Sequence, residues 1–109
     1  MEVKASARFV KGSAQKYRLI LDLIKGRGAG EAMAVLENLP SPKARIVWKV
    51  LKSAMANAEN NYNLDPSNMR VIKAFADEGP RLLRFRPKAR GRVNPIRKRY
   101  SHITIVLGE

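Results

Sequence analysis

Arg81, Arg84, Arg86, Lys88, Arg90, Arg92, Arg97, Lys98 and Arg99 crowd into one short stretch of the chain, and no carboxylate interrupts them. Seven of the nine are arginines. A guanidinium can grip a phosphate through two parallel hydrogen bonds and stack on a base, which lysine does poorly. At its blandest, such a run is a solvated face or a loose tail. Here a clean strand pattern follows it, so the segment leaves a folded body and returns to it. The chemistry it supports is recognition of a polyanion.

Other reactive residue types are scarce. The 109 residues include no cysteine and one histidine. Disulfides, thiolate zinc sites and cysteine nucleophiles are therefore excluded, and a single histidine argues against a His-based metal centre or a Ser-His-Asp triad. His102 lies among Ser101, Ile103 and Thr104 with no acid nearby in sequence, which favours a structural or RNA-contacting role over catalysis. Asp77-Glu78 is an adjacent acidic pair, but neighbours on a strand point to opposite faces. Gly26, Gly28 and Gly30 resemble a phosphate-cradling loop only superficially: they follow a helix pattern and lack a Gly-Lys-Ser/Thr ending. The expectation is no enzyme, no metal and no cofactor.

Twenty-two Lys and Arg against nine Asp and Glu give a net charge of +13. Residues 1–79 carry only +5 of it, and residues 80–109 carry +8. Net charge speaks to partners rather than to fold, and this sign favours polyanions. With 45% hydrophobic residues the chain is no disordered basic tail, and its length suits one domain, 1–109, with a modest core. No apolar run is long enough to span a bilayer, and Met1-Glu2-Val3-Lys4 does not open a signal peptide. A soluble, intracellular protein is expected.

The elements that must position the cations follow from periodicity. Val3–Val10 alternates, with Val3, Ala5, Ala7 and Phe9 on one face and Lys4, Ser6 and Arg8 on the other, as in a half-buried strand. Ser13 stands where a helix N-cap belongs. Tyr17, Ile20, Leu21 and Ile24 form the apolar stripe of that helix, Leu19 and Leu23 predict contacts on a second side, and Gly26 is the stop. A short second helix turns Ala32, Val35, Leu36 and Leu39 to the core. Ser41-Pro42 opens the longest helix, with Val47, Val50, Leu51, Ala54 and Ala58 on one face and Arg45, Lys49 and Lys52 opposite. Ala54, Ala56 and Ala58 would let it pack closely, and its end falls near Asn60-Asn61. Met69–Ala76 reads as a strand in which Val71, Ala74 and Phe75 are apolar, and 77–80 as a bend. Tyr100–Leu107 is the clearest strand, with Ile103, Ile105 and Leu107 on one side and His102, Thr104 and Val106 on the other. The predicted class is α+β: three helices packed on a small antiparallel sheet, with a long basic β-hairpin extending from it.

That hairpin is residues 81–100. Gly91 can supply the positive φ for a tip near residues 88–92, and arms of about ten residues would reach roughly 30 Å. An isolated two-stranded ribbon is marginal, and like charges facing each other weaken it further. Surrounding phosphates answer both objections, so the arm's order is expected to depend on nucleic acid. Phe85 and Tyr100 flank the tip. Two rings are too few for a stacking platform, and packing is the better role for both.

Ser13-Ala14-Gln15-Lys16-Tyr17-Arg18-Leu19, Leu21-Asp22-Leu23-Ile24-Lys25-Gly26 and Ser53–Asn61 resemble a known family. So do Asp77-Glu78-Gly79-Pro80, Pro87-Lys88-Ala89-Arg90-Gly91-Arg92 and Lys98–Ile105. In order and over nearly the whole chain, these stretches resemble a universal family of large-subunit ribosomal proteins, the twenty-second in the bacterial-type numbering. The resemblance implies a globular body outside the subunit and a hairpin threading rRNA toward the polypeptide exit tunnel. It implies a structural constituent that binds large-subunit rRNA, supports assembly and lines the tunnel with a tip of Lys88, Ala89, Arg90 and Gly91, where macrolides bind nearby. The partners implied are rRNA, neighbouring ribosomal proteins and the nascent polypeptide, without membrane or homo-oligomer, in a cytoplasmic ribosome, with an organellar one left open. The residues assigned to RNA are Lys11, Lys16, Arg18 and Lys25 on the body, the nine cations of the hairpin, and His102. Three features depart from the family pattern. Ala14-Gln15 replaces a frequent Pro-Arg, Asn94-Pro95 sits in the returning arm, where a proline removes a ladder donor, and no long basic tail is expected after Glu109. Pairing near the tip is therefore expected to fray.

Two other classes compete. A basic β-arm can also enter a DNA groove, and preference for duplex DNA over folded rRNA would mark an architectural protein. A membrane-surface binder would need a basic amphipathic helix with a spare apolar face, whereas the apolar stripes here are required by the core.

Overall fold

The computed structural model describes residues 2–78, 82–87, 93–98 and 100–108, with 82–87 and 93–98 described by their backbone. The order is β1 (Glu2–Lys11), α1 (Ala14–Ile24), α2 (Ala29–Asn38), α3 (Pro42–Tyr62), a 3₁₀ turn (Pro66–Asn68), β2 (Arg70–Glu78), β3 (Leu82–Pro87), β4 (Val93–Lys98) and β5 (Tyr100–Gly108). Three strands form one antiparallel sheet in the order β1-β5-β2, and β3 pairs with β4 in a second.

The most regularly alternating strand takes the centre of the sheet. Ile103, Ile105 and Leu107 of β5 are fully buried, and the strand has a ladder partner on each side. The three helices pack on that face. Tyr17, Leu21 and Ile24 of α1, Ala32 and Leu36 of α2, and Val47, Leu51, Ala54 and Ala58 of α3 join one core with Val3, Val71 and Ala74 of the edge strands. The predicted α+β arrangement of helices on a small antiparallel sheet is therefore present. Ala54 and Ala58 are buried, whereas Ala56 is exposed and takes no part in the packing. Val35 and Leu39 only flank the core. Helix α3 runs past Asn60-Asn61 to Tyr62, where Asn63 adopts the left-handed conformation and donates its backbone N–H to the Ala58 carbonyl.

Two bulges account for the main departures from simple alternation. Ala7 pairs with Ile103 but Val10 pairs with Ser101, so Arg8 and Phe9 together oppose His102. Phe9 takes a φ of 57° and turns out of the face that the alternation assigned to it, leaving the ring 58% exposed. In β2 the register shifts between Val71 and Lys73, and Ile72 is the extra residue, exposed on the surface. Phe75, expected among the apolar positions, is exposed as well, between buried Ala74 and Ala76. Leu19 and Leu23 are also exposed, so the contacts predicted for a second side of α1 are not made among the described residues.

The described ladder of the arm runs from Leu82↔Lys98 to Pro87↔Val93, about 20 Å at strand rise. Tyr100, assigned to the hairpin by sequence, lies in β5 opposite Lys11 and belongs to the body. Pairing continues through Phe85↔Pro95 for two further residue pairs. Proline leaves its acceptor available even though it offers no donor. The predicted tip, 88–92, lies outside the described residues. A separate two-stranded sheet makes the molecule elongated, 61 × 26 × 17 Å with a radius of gyration of 16.9 Å, against about 13 Å for a compact chain of this length.

Candidate nucleic-acid interface

The cations assigned from sequence fall into three groups. Arg84 and Arg86 lie on β3, and Arg97 and Lys98 on β4. The register sets Arg84 opposite Ile96, Arg86 opposite Asn94, Arg97 opposite Leu83 and Lys98 opposite Leu82. Every one of these cations thus faces a neutral residue, and the like-charge confrontation expected of a basic ribbon is avoided at the directly opposed positions. Arg81, Lys88, Ala89, Arg90, Gly91, Arg92 and Arg99 lie outside the described residues.

The body cations are held in different ways. Lys11 ends β1 opposite Tyr100, where the chain returns to the body, and is exposed. Its carbonyl accepts the Tyr17 hydroxyl at 2.6 Å, and burial pushes the Tyr17 phenol above its ordinary pKa of 10.0. At the same corner the buried Ser101 hydroxyl donates to the Gly12 carbonyl at 2.8 Å, and the Lys43 ammonium lies 5.8 Å from the Tyr17 ring centroid. Lys16 is exposed on α1. Arg18 donates its Nε–H to the Ala76 carbonyl at 3.0 Å, which ties α1 to β2 and leaves the rest of the guanidinium at the surface. Lys25 pairs with Asp22 at 3.1 Å. Both groups are well exposed, so the pair is worth at most about 1 kcal/mol and a phosphate can displace it.

His102 is half-buried on the sheet face turned away from the helices, the side opposite to Ile103. Its Nδ1 accepts the Phe9 backbone N–H at 3.1 Å, which puts the neutral ring's proton on Nε2. The Phe9 ring stands edge-on to it with centroids 4.9 Å apart. Sequence reasoning missed this face. The Ala74-Phe75-Ala76 alternation offered a signal, whereas nothing in the local sequence announced the bulge that exposes Phe9.

Among the described residues, no three His, Cys, Asp or Glu side chains converge on a possible metal position. No described helix is long and apolar enough to cross a membrane. An open surface depression of about 670 Å³ lies between the C-terminal end of α3 and the 3₁₀ turn, lined by Met55, Glu59, Asn63, Leu64 and Asp65 among others. Asp65 there already accepts from the Ser67 hydroxyl and backbone N–H, which hold its carboxyl below the usual range.

A mildly basic α+β body with a separate, strongly basic two-stranded arm has the make-up of a binding protein rather than a catalyst. Comparison with known proteins gives that class a family. The model of the ribosomal protein L22p/L17e family matches residues 5–108. Large ribosomal subunit protein uL22 of Latilactobacillus sakei subsp. sakei is 54% identical over 105 residues, covering 96% of this chain and 90% of the relative. The proteins of the same name from Lacticaseibacillus casei and Lacticaseibacillus paracasei are each 53% identical over the same shares. The chain belongs to the L22p/L17e family of large-subunit ribosomal proteins, and it is a structural protein, not an enzyme.

Proposed function

We propose that the chain binds large-subunit rRNA chiefly through the β3–β4 arm, supports assembly of the subunit, and lines the polypeptide exit tunnel with Lys88, Ala89, Arg90 and Gly91, beside the nascent chain. The observation that carries this reading is the separation of the two sheets. Arg84, Arg86, Arg97 and Lys98 sit on a ladder that shares no strand with the body, in the stretch where nine cations run without an acid. Phosphates on both sides of such a ribbon would neutralise it, with Arg81, Arg90, Arg92 and Arg99 extending the contact at its two ends. Lys11, Lys16, Arg18, Lys25 and His102 make the body's share of the rRNA contact, and neighbouring ribosomal proteins pack against the remaining surface. The relatives named above are bacterial, which supports a cytoplasmic ribosome. Sedimentation of a native lysate before and after a high-salt wash, followed by detection of this chain, tests the reading. Persistent co-migration with the large subunit is expected. A soluble or DNA-associated pool that never enters that peak would overturn it.

A further inference from the structure

We propose that the outer face of the β1-β5-β2 sheet is a second RNA surface, on which unpaired bases stack on Phe9 and Phe75 around His102. The proposal rests on the rRNA-binding reading and adds to it a site, a chemistry and a strandedness.

The helices cover one face of the sheet, and the register lays out the other in rows. Lys4 and Lys73 flank Val106, Ser6 and Phe75 flank Thr104, and the Arg8-Phe9 bulge and Asp77 flank His102. Phe9 and Phe75 are 58% and 42% exposed. Phe9 is held there against its backbone preference, since a φ of 57° suits Gly or Asn far better than a bulky aromatic. Backbone strain of this kind concentrates at functional sites. The bulge also fixes His102, whose Nδ1 is occupied by the Phe9 N–H, leaving Nε2–H as the ring's donor. Ser6 Oγ and Thr104 Oγ1 lie 3.3 Å apart between the rings, and each hydroxyl can donate to or accept from a base edge.

The face is thus a sheet with exposed aromatic rings, hydroxyls between them and an ammonium on each edge strand. Sheets of that kind stack unpaired bases, whereas an A-form duplex offers only its backbone and shallow groove. Lysine and serine are depleted from the cores of protein–protein interfaces, so Lys4, Lys73 and Ser6 argue for RNA over a protein partner. Asp77 is the single carboxylate in these three rows, and it stands at the sheet edge, where it can accept from a base amino group.

The test uses the full chain with a short single-stranded RNA of mixed sequence and the corresponding duplex. Phe9→Ala and Phe75→Ala should each lower single-strand affinity by about fivefold or more. The salt dependence should stay unchanged because no charge is lost, duplex affinity should be untouched, and Phe→Tyr should restore binding at both positions. Photo-crosslinking should place adducts on the peptides holding Phe9 and Phe75. Phe75 lies outside both bulges, so Phe75→Ala reports on the platform even where Phe9→Ala disturbs the β1 corner. Alanine variants that bind single strands as tightly as the parent chain would overturn the platform and leave the rRNA reading standing. A parent chain that binds neither RNA would overturn both. Variants that bind RNA normally yet fail to enter the large subunit would assign the face to a protein neighbour instead.

Discussion

Gly12 sits at the most crowded point of the β1–α1 corner. Its φ is 129°, and a Cβ there would come within 3.0 Å of both the Tyr17 ring and Lys43 Cε, while its carbonyl accepts the Ser101 hydroxyl. Gly26 also has a positive φ, 79°, but a Cβ there would meet nothing within 4 Å. Gly12→Ala should therefore cost about 2 kcal/mol or more and Gly26→Ala about 1 kcal/mol, read as denaturant midpoints. Equal losses would show that backbone conformation alone decides both sites. Tyr17 buttresses the same corner. Its phenol is buried with its hydroxyl on the Lys11 carbonyl, and its pKa is raised by desolvation. The folded state thus favours the neutral phenol. That contribution is complete below the unfolded pKa of about 10 and is lost as the pH rises through the higher folded value. Tyr17→Phe should lose about 1 kcal/mol at neutral pH and show a shallower fall in stability above pH 10 than the parent chain. An identical alkaline profile would remove Tyr17 as the titrating group.

At the scale of elements, two serines in equivalent sequence positions behave differently. Ser41 Oγ accepts the Lys43 backbone N–H at 3.3 Å, whereas Ser13 occupies the N-cap position of α1 without a side-chain cap bond. Ser41→Ala should cost about 1 kcal/mol and Ser13→Ala a few tenths, measured by thermal or denaturant unfolding. Comparable losses would mean that Ser13 caps in solution. The contrast marks what sequence can carry. The stripe Tyr17, Ile20, Leu21 and Ile24 and the alternation of β5 were legible because each depends on a period that the chain displays locally. Whether a serine caps depends on a rotamer set by its surroundings. Where Phe9 points depends on a register shift against His102, 93 residues along the chain, and the local pattern wrote it as core. Tyr100 closes the expected hairpin range and opens the Tyr100–Leu107 strand, and its pairing with Lys11 places it in β5, a choice that the composition of residues 81–100 does not contain. The arm's charge, by contrast, was plain in the composition and remains its most informative property.

For the whole molecule, the decisive fact is that stability and charge reside in different sheets. Among the described residues the core lies in the three helices, the β1-β5-β2 sheet and Met69 beside it, while residues 80–109 hold +8 of the net charge of +13. Exchanging cations on β3 and β4 removes positive charge without opening a cavity in that core. The variant carrying Arg84→Ala, Arg86→Ala, Arg97→Ala and Lys98→Ala should therefore keep the parent melting temperature while binding rRNA more weakly. If each cation neutralises one phosphate, four lost contacts at about 0.7 to 0.9 counterions apiece should flatten the slope of log K against log salt by about 3. The matching substitutions at Lys16 and Lys25 should flatten it by less than 2, since Lys25 already has Asp22 as a partner. An unchanged slope in the four-site variant would move the main electrostatic contact off the arm and onto the body. A fall in melting temperature would instead show that the arm braces the core from which the two ladders separate it.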